Sequence, residues 1–241
     1  MIQKLLSITR KAVDEYKLIE EGDRIAVGVS GGKDSLCVLT ALAALRRFYP
    51  VSYDVQAVTI DMGFGLDFRP VAAYCDELGV PLQIVPTQIK EVVFDIRKEE
   101  NPCSLCAKLR RGAVNNAALD LGCNKVAYGH HLDDAVETFL MCLFYEGRLG
   151  CFSPKTFLDR SGVTVIRPMI YVDEWFCEKF AREQRLPVVD KKCPADGNTK
   201  REETKQLVEL LRGKFPDLKD RILGAMQRGL KDWKVEGESV Q

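Results

Sequence analysis

Apolar positions along the chain fall into two alternating rhythms. Short runs at 24–29, 55–60, 82–86 and 124–128 are rich in Val, Ile and Ala and read as strands. Longer stretches with helical spacing lie between or after them, at roughly 33–47, 68–79, 104–121 and 132–146. This alternation predicts an α/β fold, a parallel sheet with helices on both faces. Right-handed crossovers then gather the loops after the strands at one sheet edge, where ligands bind in open α/β folds. Ahead of the first strand, Leu5, Leu6, Ile8, Val13 and Leu18 mark a helix over 3–20. Residues 147–162, rich in Gly, Ser and charge, read as a loop; one more strand is expected from Val163 to Ile166 and a helix over 174–185. From 200 onward two helices are expected, split by Phe215-Pro216-Asp217. The expected organisation is an N-terminal helix over 1–20, a main domain over 21–190 and a C-terminal segment over 191–241.

Three strand ends carry candidate chemistry. The run Arg24-Ile25-Ala26-Val27-Gly28-Val29 leads into Ser30-Gly31-Gly32-Lys33-Asp34-Ser35 and then into the helical Leu36-Cys37-Val38-Leu39-Thr40-Ala41-Leu42. A strand turning through two glycines into a helix leaves several backbone N–H groups unpaired, and with the helix dipole they favour an anion such as phosphate. The glycines permit a tight turn and close approach of the anion. Lys33 adds a point charge, and Ser30 and Ser35 add hydroxyl donors. The spacing is not that of a Walker P-loop; a capped Gly-Gly turn is the plain structural alternative.

The second strand end is Asp61-Met62-Gly63-Phe64-Gly65 and the third is Gly129-His130-His131-Leu132-Asp133-Asp134. Adjacent carboxylates at a helix start can simply cap it. Beside a phosphate loop they can instead hold Mg²⁺ or assist proton transfer. His130 and His131 are the only histidines in the chain, and their place at a strand end points to a site. Zinc is not favoured there, because neighbouring loop residues rarely chelate one ion together.

Composition narrows the picture. A chain of 241 residues that is 46% hydrophobic and 29% charged makes one large globular domain, or one domain with a small appendage, with ample core. No apolar run is long enough to span a bilayer. Met1-Ile2-Gln3-Lys4-Leu5-Leu6 lacks the layout of a signal peptide, so a cytoplasmic location is expected. Lys+Arg and Asp+Glu both total 35, which restricts any nucleic-acid contact to local patches. The stretch holding Lys191, Lys192, Lys200, Arg201, Lys205, Arg212 and Lys214 is either such a patch or a solvated helix face.

Nine cysteines, an odd number, point to metal or sulfur chemistry rather than disulfides in a reducing compartment. Cys103-Ser104-Leu105-Cys106 opens a basic helix containing Lys108, Arg110 and Arg111, a setting that favours thiolates. A Cys₄ zinc site would need a second C-x-x-C, which is absent. A thioredoxin-like pair would normally sit on the first βα unit. An iron–sulfur centre with one open iron needs one further cysteine. Spacing leaves Cys193, Cys123 and Cys151 open for that place, with Cys193 favoured by its polar, turn-rich surroundings. Cys37, Cys75, Cys142 and Cys177 fall in helical patterns and read as small buried hydrophobes.

The residues also carry a family resemblance over nearly the whole chain. It rests on Leu18-Ile19-Glu20-Glu21-Gly22-Asp23-Arg24, the SGGKDS loop, Pro102-Cys103-Ser104-Leu105-Cys106, Leu109-Arg110-Arg111-Gly112, the GHHLDD segment, Ile166-Arg167-Pro168-Met169 and Ala225-Met226-Gln227. With these the chain resembles the tRNA 2-thiocytidine synthetase family of PP-loop ATP pyrophosphatases. The resemblance implies an adenine nucleotide alpha hydrolase-like fold and ATP-dependent tRNA thiolation. ATP would adenylate the C2 carbonyl oxygen of an anticodon-loop cytidine, and sulfur would replace that oxygen. It implies ATP and Mg²⁺ contacts from Val29, Ser30, Gly31, Gly32, Lys33, Asp34, Ser35, Ile60, Asp61, Gly129, His130 and Asp134. It implies catalytic roles for Lys33, Arg110 and Asp134, and a [4Fe-4S] cluster on Cys103, Cys106 and Cys193. The implied partners are tRNA, sulfide or a sulfur-donor protein such as a cysteine desulfurase, and a second copy of the chain.

The segment Cys193-Pro194-Ala195-Asp196-Gly197 departs from the family's C-x-x-C-G pattern and is closer to the related tRNA 2-thiouridine synthetases. Those enzymes carry terminal zinc fingers, which this sequence lacks, and usually a lysine where Arg110 stands. Cytidine is therefore the expected target. A tRNA lysidine synthetase and a non-catalytic, metal-dependent RNA-binding module are more distant alternatives.

Overall fold

A computed structural model of the chain describes residues 1–98, 102–189 and 200–235. The strands are β1 (Asp23–Gly28), β2 (Tyr53–Asp61), β3 (Leu82–Pro86), β4 (Lys125–Ala127), β5 (Lys155–Leu158) and β6 (Val163–Ile166). They form one sheet in the order β3-β2-β1-β4-β6-β5. Pairing is parallel from β3 through to β6, with Ile25 opposite both Val55 and Lys125.

Side chains on a strand alternate between faces, and here both faces are apolar. Ile25, Val27, Val55 and Ala57 face one core, shared with α1 (Ile2–Glu15), α2 (Lys33–Leu45), α3 (Arg69–Leu78) and α6 (Glu174–Glu183). Ala26, Val58, Ile60 and Val126 face the other, beneath α4 (Pro102–Asp120) and a π-helical turn at Glu91–Arg97. On the far side of β4, α5 (Leu132–Glu146) packs against α7 (Lys200–Arg212) and α8 (Leu218–Gly229). The chain's described end is a short 3-10 turn, Lys231–Trp233, that buries Trp233 completely.

Two expectations are corrected. The sheet is parallel through five strands, as expected, but the segment expected to be a loop holds an edge strand, β5, that pairs antiparallel with β6. Its four residues include an exposed Phe157, and an edge strand bonded on one side only leaves a weak alternating signal. The first helix ends at Glu15, and Lys17 takes a positive φ of 47° before Leu18 and Ile19 turn into the core. Leu5, Leu6 and Val13 of that helix sit in the same core as β1 and α2.

Candidate active site

The order of strands reverses between β1 and β4, and the loops leaving these two neighbours meet at the carboxyl edge of the sheet. The loop after β1 is Val29–Ser35. Val29 still donates its N–H to Val58 O at 2.8 Å, and its carbonyl accepts from Thr59 Oγ1 at 2.9 Å, so sheet bonding runs up to the turn. Gly31 has φ +82°, and a Cβ there would lie 3.0 Å from Val189 Cβ. Val189 N–H in turn donates to Gly31 O at 2.9 Å. Ser35 Oγ accepts from Ser30 N–H at 3.1 Å and donates to Gly32 O at 2.8 Å, closing the loop on itself. The first backbone bond of α2 runs from Leu36 N–H to Gly32 O, so the N–H groups of Lys33, Asp34 and Ser35 have no intrahelical acceptor. Unpaired N–H groups at a helix start, as the sequence leads one to expect here, can hold an anion.

The loop after β4 presses directly on the loop after β1. A Cβ at Gly129 would lie 2.6 Å from Asp34 O, so only glycine fits the contact. His131 caps α5: its Nδ1 accepts from Asp134 N–H at 3.3 Å, while Asp134 Oδ2 accepts from His131 N–H at 3.1 Å. His131 Nε2 stands 3.4 Å from Asp134 Oδ2 and 3.9 Å from Asp34 Oδ1. Asp34 Oδ1 is buried without a hydrogen-bond partner. Two carboxylates on either side of one imidazole, one with an unused oxygen, fit Mg²⁺, which is held by one or two carboxylates plus phosphate and water. Among the described residues no set of three or more His, Cys, Asp or Glu forms a closed metal cage. Asp133 is used differently: it accepts from Glu174 N–H at 2.7 Å and pairs with Lys219.

Lys33 does not stand alone. Its Nζ lies 3.3 Å from Asp34 Oδ2 and 3.1 Å from Glu174 Oε1. Burial by itself would lower the lysine pKa, but Asp34 and Glu174 outweigh it and keep the ammonium protonated. Glu174 Oε2 also accepts from Lys205 Nζ at 2.7 Å. Burial would raise this carboxyl, yet Lys205 and Lys33 together hold it at about 2. Arg201 Nη1 bridges Asp134 Oδ1 at 3.0 Å and Glu137 Oε2 at 3.1 Å. Burial nevertheless pushes Glu137 up to about 7, with Arg201 opposing. Arg201 and Lys205, expected on a solvated or RNA-binding face, thus turn toward the site. Glu174, Glu137 and Lys219 went unnoticed in the sequence. The one signal available for Glu174 was an acidic residue in the first turn of a helix.

The other candidates scatter around this centre. Val29 and Ile60 are buried strand-end residues. Asp61 Oδ1 accepts from Gly63 N–H at 2.9 Å and shapes the turn after β2. His130 packs its ring 4.9 Å from Phe152 and 5.8 Å from Tyr128, between centroids. Burial, aided by Arg167, brings it down to about 4, so it is neutral. Arg110 is exposed on α4.

A crossover helix runs antiparallel to the strands it joins, so the first turn of α4 lies at the same edge as the phosphate loop. Cys103 is exposed there, and Cys106 is half-buried with Sγ 3.9 Å from Sδ of Met62, the residue after Asp61. Two sulfur donors at a helix start suit an iron–sulfur centre. Cys193 lies outside the described residues. Cys123 is buried at the opposite end of β4, where burial raises its thiol pKa. Burial pushes the Cys151 thiol up to about 12, and it donates to Ala135 O at 3.4 Å. Neither joins the pair. Cys37, Cys75, Cys142 and Cys177 are buried as expected.

Comparison with known proteins follows the same lines. A family model described as a PP-loop domain matches residues 3–209. The tRNA-cytidine(32) 2-sulfurtransferase of Syntrophotalea carbinolica is 41% identical over 230 residues, covering 94% of this chain and 89% of that protein. Its counterpart in Geobacter sulfurreducens is 42% identical over 228 residues, covering 93% and 89%. The U34-tRNA thiolase NcsA of Methanococcus maripaludis, solved with its [4Fe-4S] cluster, superposes with a TM-score of 0.73 at 24% identity. That match covers 97% of this chain and 80% of NcsA, and it speaks for the fold. With a PP-loop at the strand-order reversal and relatives of this identity along nearly its full length, the chain belongs to the tRNA-cytidine(32) 2-sulfurtransferase family of PP-loop proteins.

Proposed function

We propose that this protein performs the reaction its relatives are named for, ATP-dependent thiolation of a cytidine in the tRNA anticodon loop. The C2 carbonyl oxygen attacks the α-phosphorus of ATP and pyrophosphate leaves; sulfide then adds at C2 and AMP departs with the oxygen. A carbonyl oxygen leaves poorly until it carries AMP, which is why the site needs a nucleotide cradle.

The N–H groups of the Ser30–Ser35 loop and the Lys33 ammonium hold the phosphates and balance charge developing on pyrophosphate. Asp34 and Asp134 would hold Mg²⁺ beside them, His131 fixing their separation. Arg110, one helical turn after Cys106, would steady charge on the activated base. Cys103 and Cys106, with Cys193 as the third ligand, would hold a [4Fe-4S] cluster, and sulfur delivery is the chemistry that group would supply here. On either side of the segment bearing Cys193 the chain is bonded to this rim, through Val189 to Gly31 and through Arg201 to Asp134. The sulfide comes from solution or, with a thiol as the two-electron reductant, from a persulfide-bearing donor such as a cysteine desulfurase. No helix among the described residues is long and apolar enough to cross a membrane, and the cytoplasm supplies both tRNA and ATP.

The observation that carries this reading is the contact of Cys106 with Met62, which sets the cysteine pair on the phosphate-loop edge. Anaerobic reconstitution with iron and sulfide tests it. The wild type should turn brown and form 2-thiocytidine in an anticodon stem-loop, measured by nucleoside mass spectrometry. Cys103→Ala, Cys106→Ala and Cys193→Ala should each bleach the chromophore. Full cluster in Cys193→Ala would strike that residue from the ligand set, and 2-thiouridine or lysidine as product would overturn the cytidine assignment.

A further inference from the structure

Just beyond the ends of β4 and β6, three neighbouring side chains each keep a polar atom that is buried and has no hydrogen-bond partner. They are the Tyr128 hydroxyl, His130 Nδ1 and Arg167 Nε. Buried polar atoms in folded proteins are nearly always satisfied, and an exception calls for a ligand, an ordered water or a functional reason. Three exceptions in one place, on the reactive edge of the sheet, are more than chance packing supplies.

The surroundings describe what would fit. Phe152 lies against both His130, at 4.9 Å between centroids, and the Arg167 guanidinium, 4.8 Å from the ring centre. Its backbone is fixed from behind by Trp233 Nε1–H, which donates to Phe152 O at 2.9 Å. Arg167 Nη1 is anchored by Ser153 O at 2.5 Å, which leaves Nε–H as the donor without a task. Burial keeps the Tyr128 phenol protonated, pushed up to about 12, and His130 neutral. The set therefore offers aromatic faces and uncharged hydrogen-bonding edges together with one donor from a cation. An unstacked nucleobase is recognised by that combination, stacking on aromatic or guanidinium planes and bonding along its edge.

The place is right as well. Tyr128 packs over the last residue of β1: a Cβ on Gly28 would lie 3.0 Å from Tyr128 Cε1 and 3.7 Å from Val114 Cγ1 of α4. Val114 is eight residues along α4 from Cys106, about 12 Å along the helix axis. The group thus lies between the phosphate loop and the helix that carries the cysteines. Arg111, exposed on α4 and close enough to Tyr128 to act on its ionisation, would meet a phosphate beside a splayed base.

We propose that Tyr128, His130 and Arg167, with Phe152, seat the unpaired pyrimidine that is to be modified. This deepens, and rests on, the thiolation reading.

Binding of a tRNA anticodon stem-loop to the wild-type protein, measured by fluorescence anisotropy, separates the two ideas. A loop with cytidine at the target position should bind more tightly than the same loop with an abasic site there. Arg167→Met removes the donor but also the anchor to Ser153, so it risks the fold. Tyr128→Phe breaks no internal bond. It should leave the melting temperature of the free protein unchanged or higher, because an unsatisfied buried hydroxyl is removed. It should weaken binding of the cytidine loop about 3- to 10-fold, the effect of one neutral hydrogen bond, and leave the abasic loop unaffected. Equal binding of the two loops by the wild type, or Tyr128→Phe with unchanged discrimination, would overturn the seat while leaving thiolation standing. A lowered melting temperature in Tyr128→Phe with RNA binding intact would mean that an ordered water fills the place, and would overturn it too. No binding of either loop would bring down the thiolation reading itself.

Discussion

Replacing Gly129 by alanine tests how tightly the turn after β4 is fitted to the phosphate loop. The new methyl would sit 2.6 Å from Asp34 O, 2.7 Å from Asp34 C and 3.0 Å from Ser35 N. All three atoms belong to the backbone of the first turn of α2, which cannot swing aside as the tip of a side chain can. Non-bonded carbon contacts settle at about 3.5–4.0 Å, so the two loops must part by roughly 1 Å. Overpacking of this kind costs about 1–3 kcal/mol. For a chain of this size each kcal/mol lowers Tm by about 2–4 °C, giving an expected fall of about 2–12 °C. The chemistry should suffer more than the fold. Parting the loops carries Asp134 and His131 away from Asp34, and a misplacement of about 1 Å can cost about 100-fold in rate. Calorimetry gives the first number. Pyrophosphate release, measured well below the melting temperature of the variant, gives the second. An alanine variant that melts within about 1 °C of the wild type and turns over normally would show that the two loops are not in the contact described.

Lys33→Ala should abolish most AMP formation while the iron–sulfur absorbance of the reconstituted protein is retained, and normal turnover would refute its phosphate role. His130 gives a pH signature. Burial holds it at about 4 in the folded chain, below the ordinary histidine value of 6.5, so the unfolded chain takes up a proton first as pH falls. Stability should therefore decline between pH 6.5 and 4, by up to about 3 kcal/mol from this residue. Urea midpoints for wild type and His130→Gln at pH 7.5 and 5 check this; parallel loss in both would mean the imidazole is not held neutral.

Much of the fold was legible because the central parallel strands β1, β2 and β4 are largely buried on both faces and so appear as near-continuous apolar runs. Ser30–Ser35 and Gly129–Asp134 were legible for a related reason: loop geometry there depends on local glycines and caps, which the sequence states directly. The network around Lys33 was not. Its partner Glu174 is 141 positions away, and nothing near either residue announces the other. Asp133 and Asp134 look equivalent in the sequence, yet one is bound to Glu174 N–H and Lys219 while the other faces His131 and Arg201. That division is set by how α6, α7 and α8 pack against α5, which is tertiary information. Arg201 and Lys205 misled for the same reason, since a helix's solvent side cannot be told from its docked side when the docking surface is itself acidic.

The shared carboxylate of Glu174 has a kinetic meaning. In the proposed phosphate role of Lys33, an arriving phosphate would meet an ammonium already satisfied, so capture would be an exchange of partners and not the filling of a vacancy. The same holds in reverse. On that reading, pyrophosphate once cut free would have Glu174 beside it as a tethered rival for the same cation, restrained meanwhile by Lys205. Affinity for substrate would thereby be moderated, and release of the spent diphosphate eased.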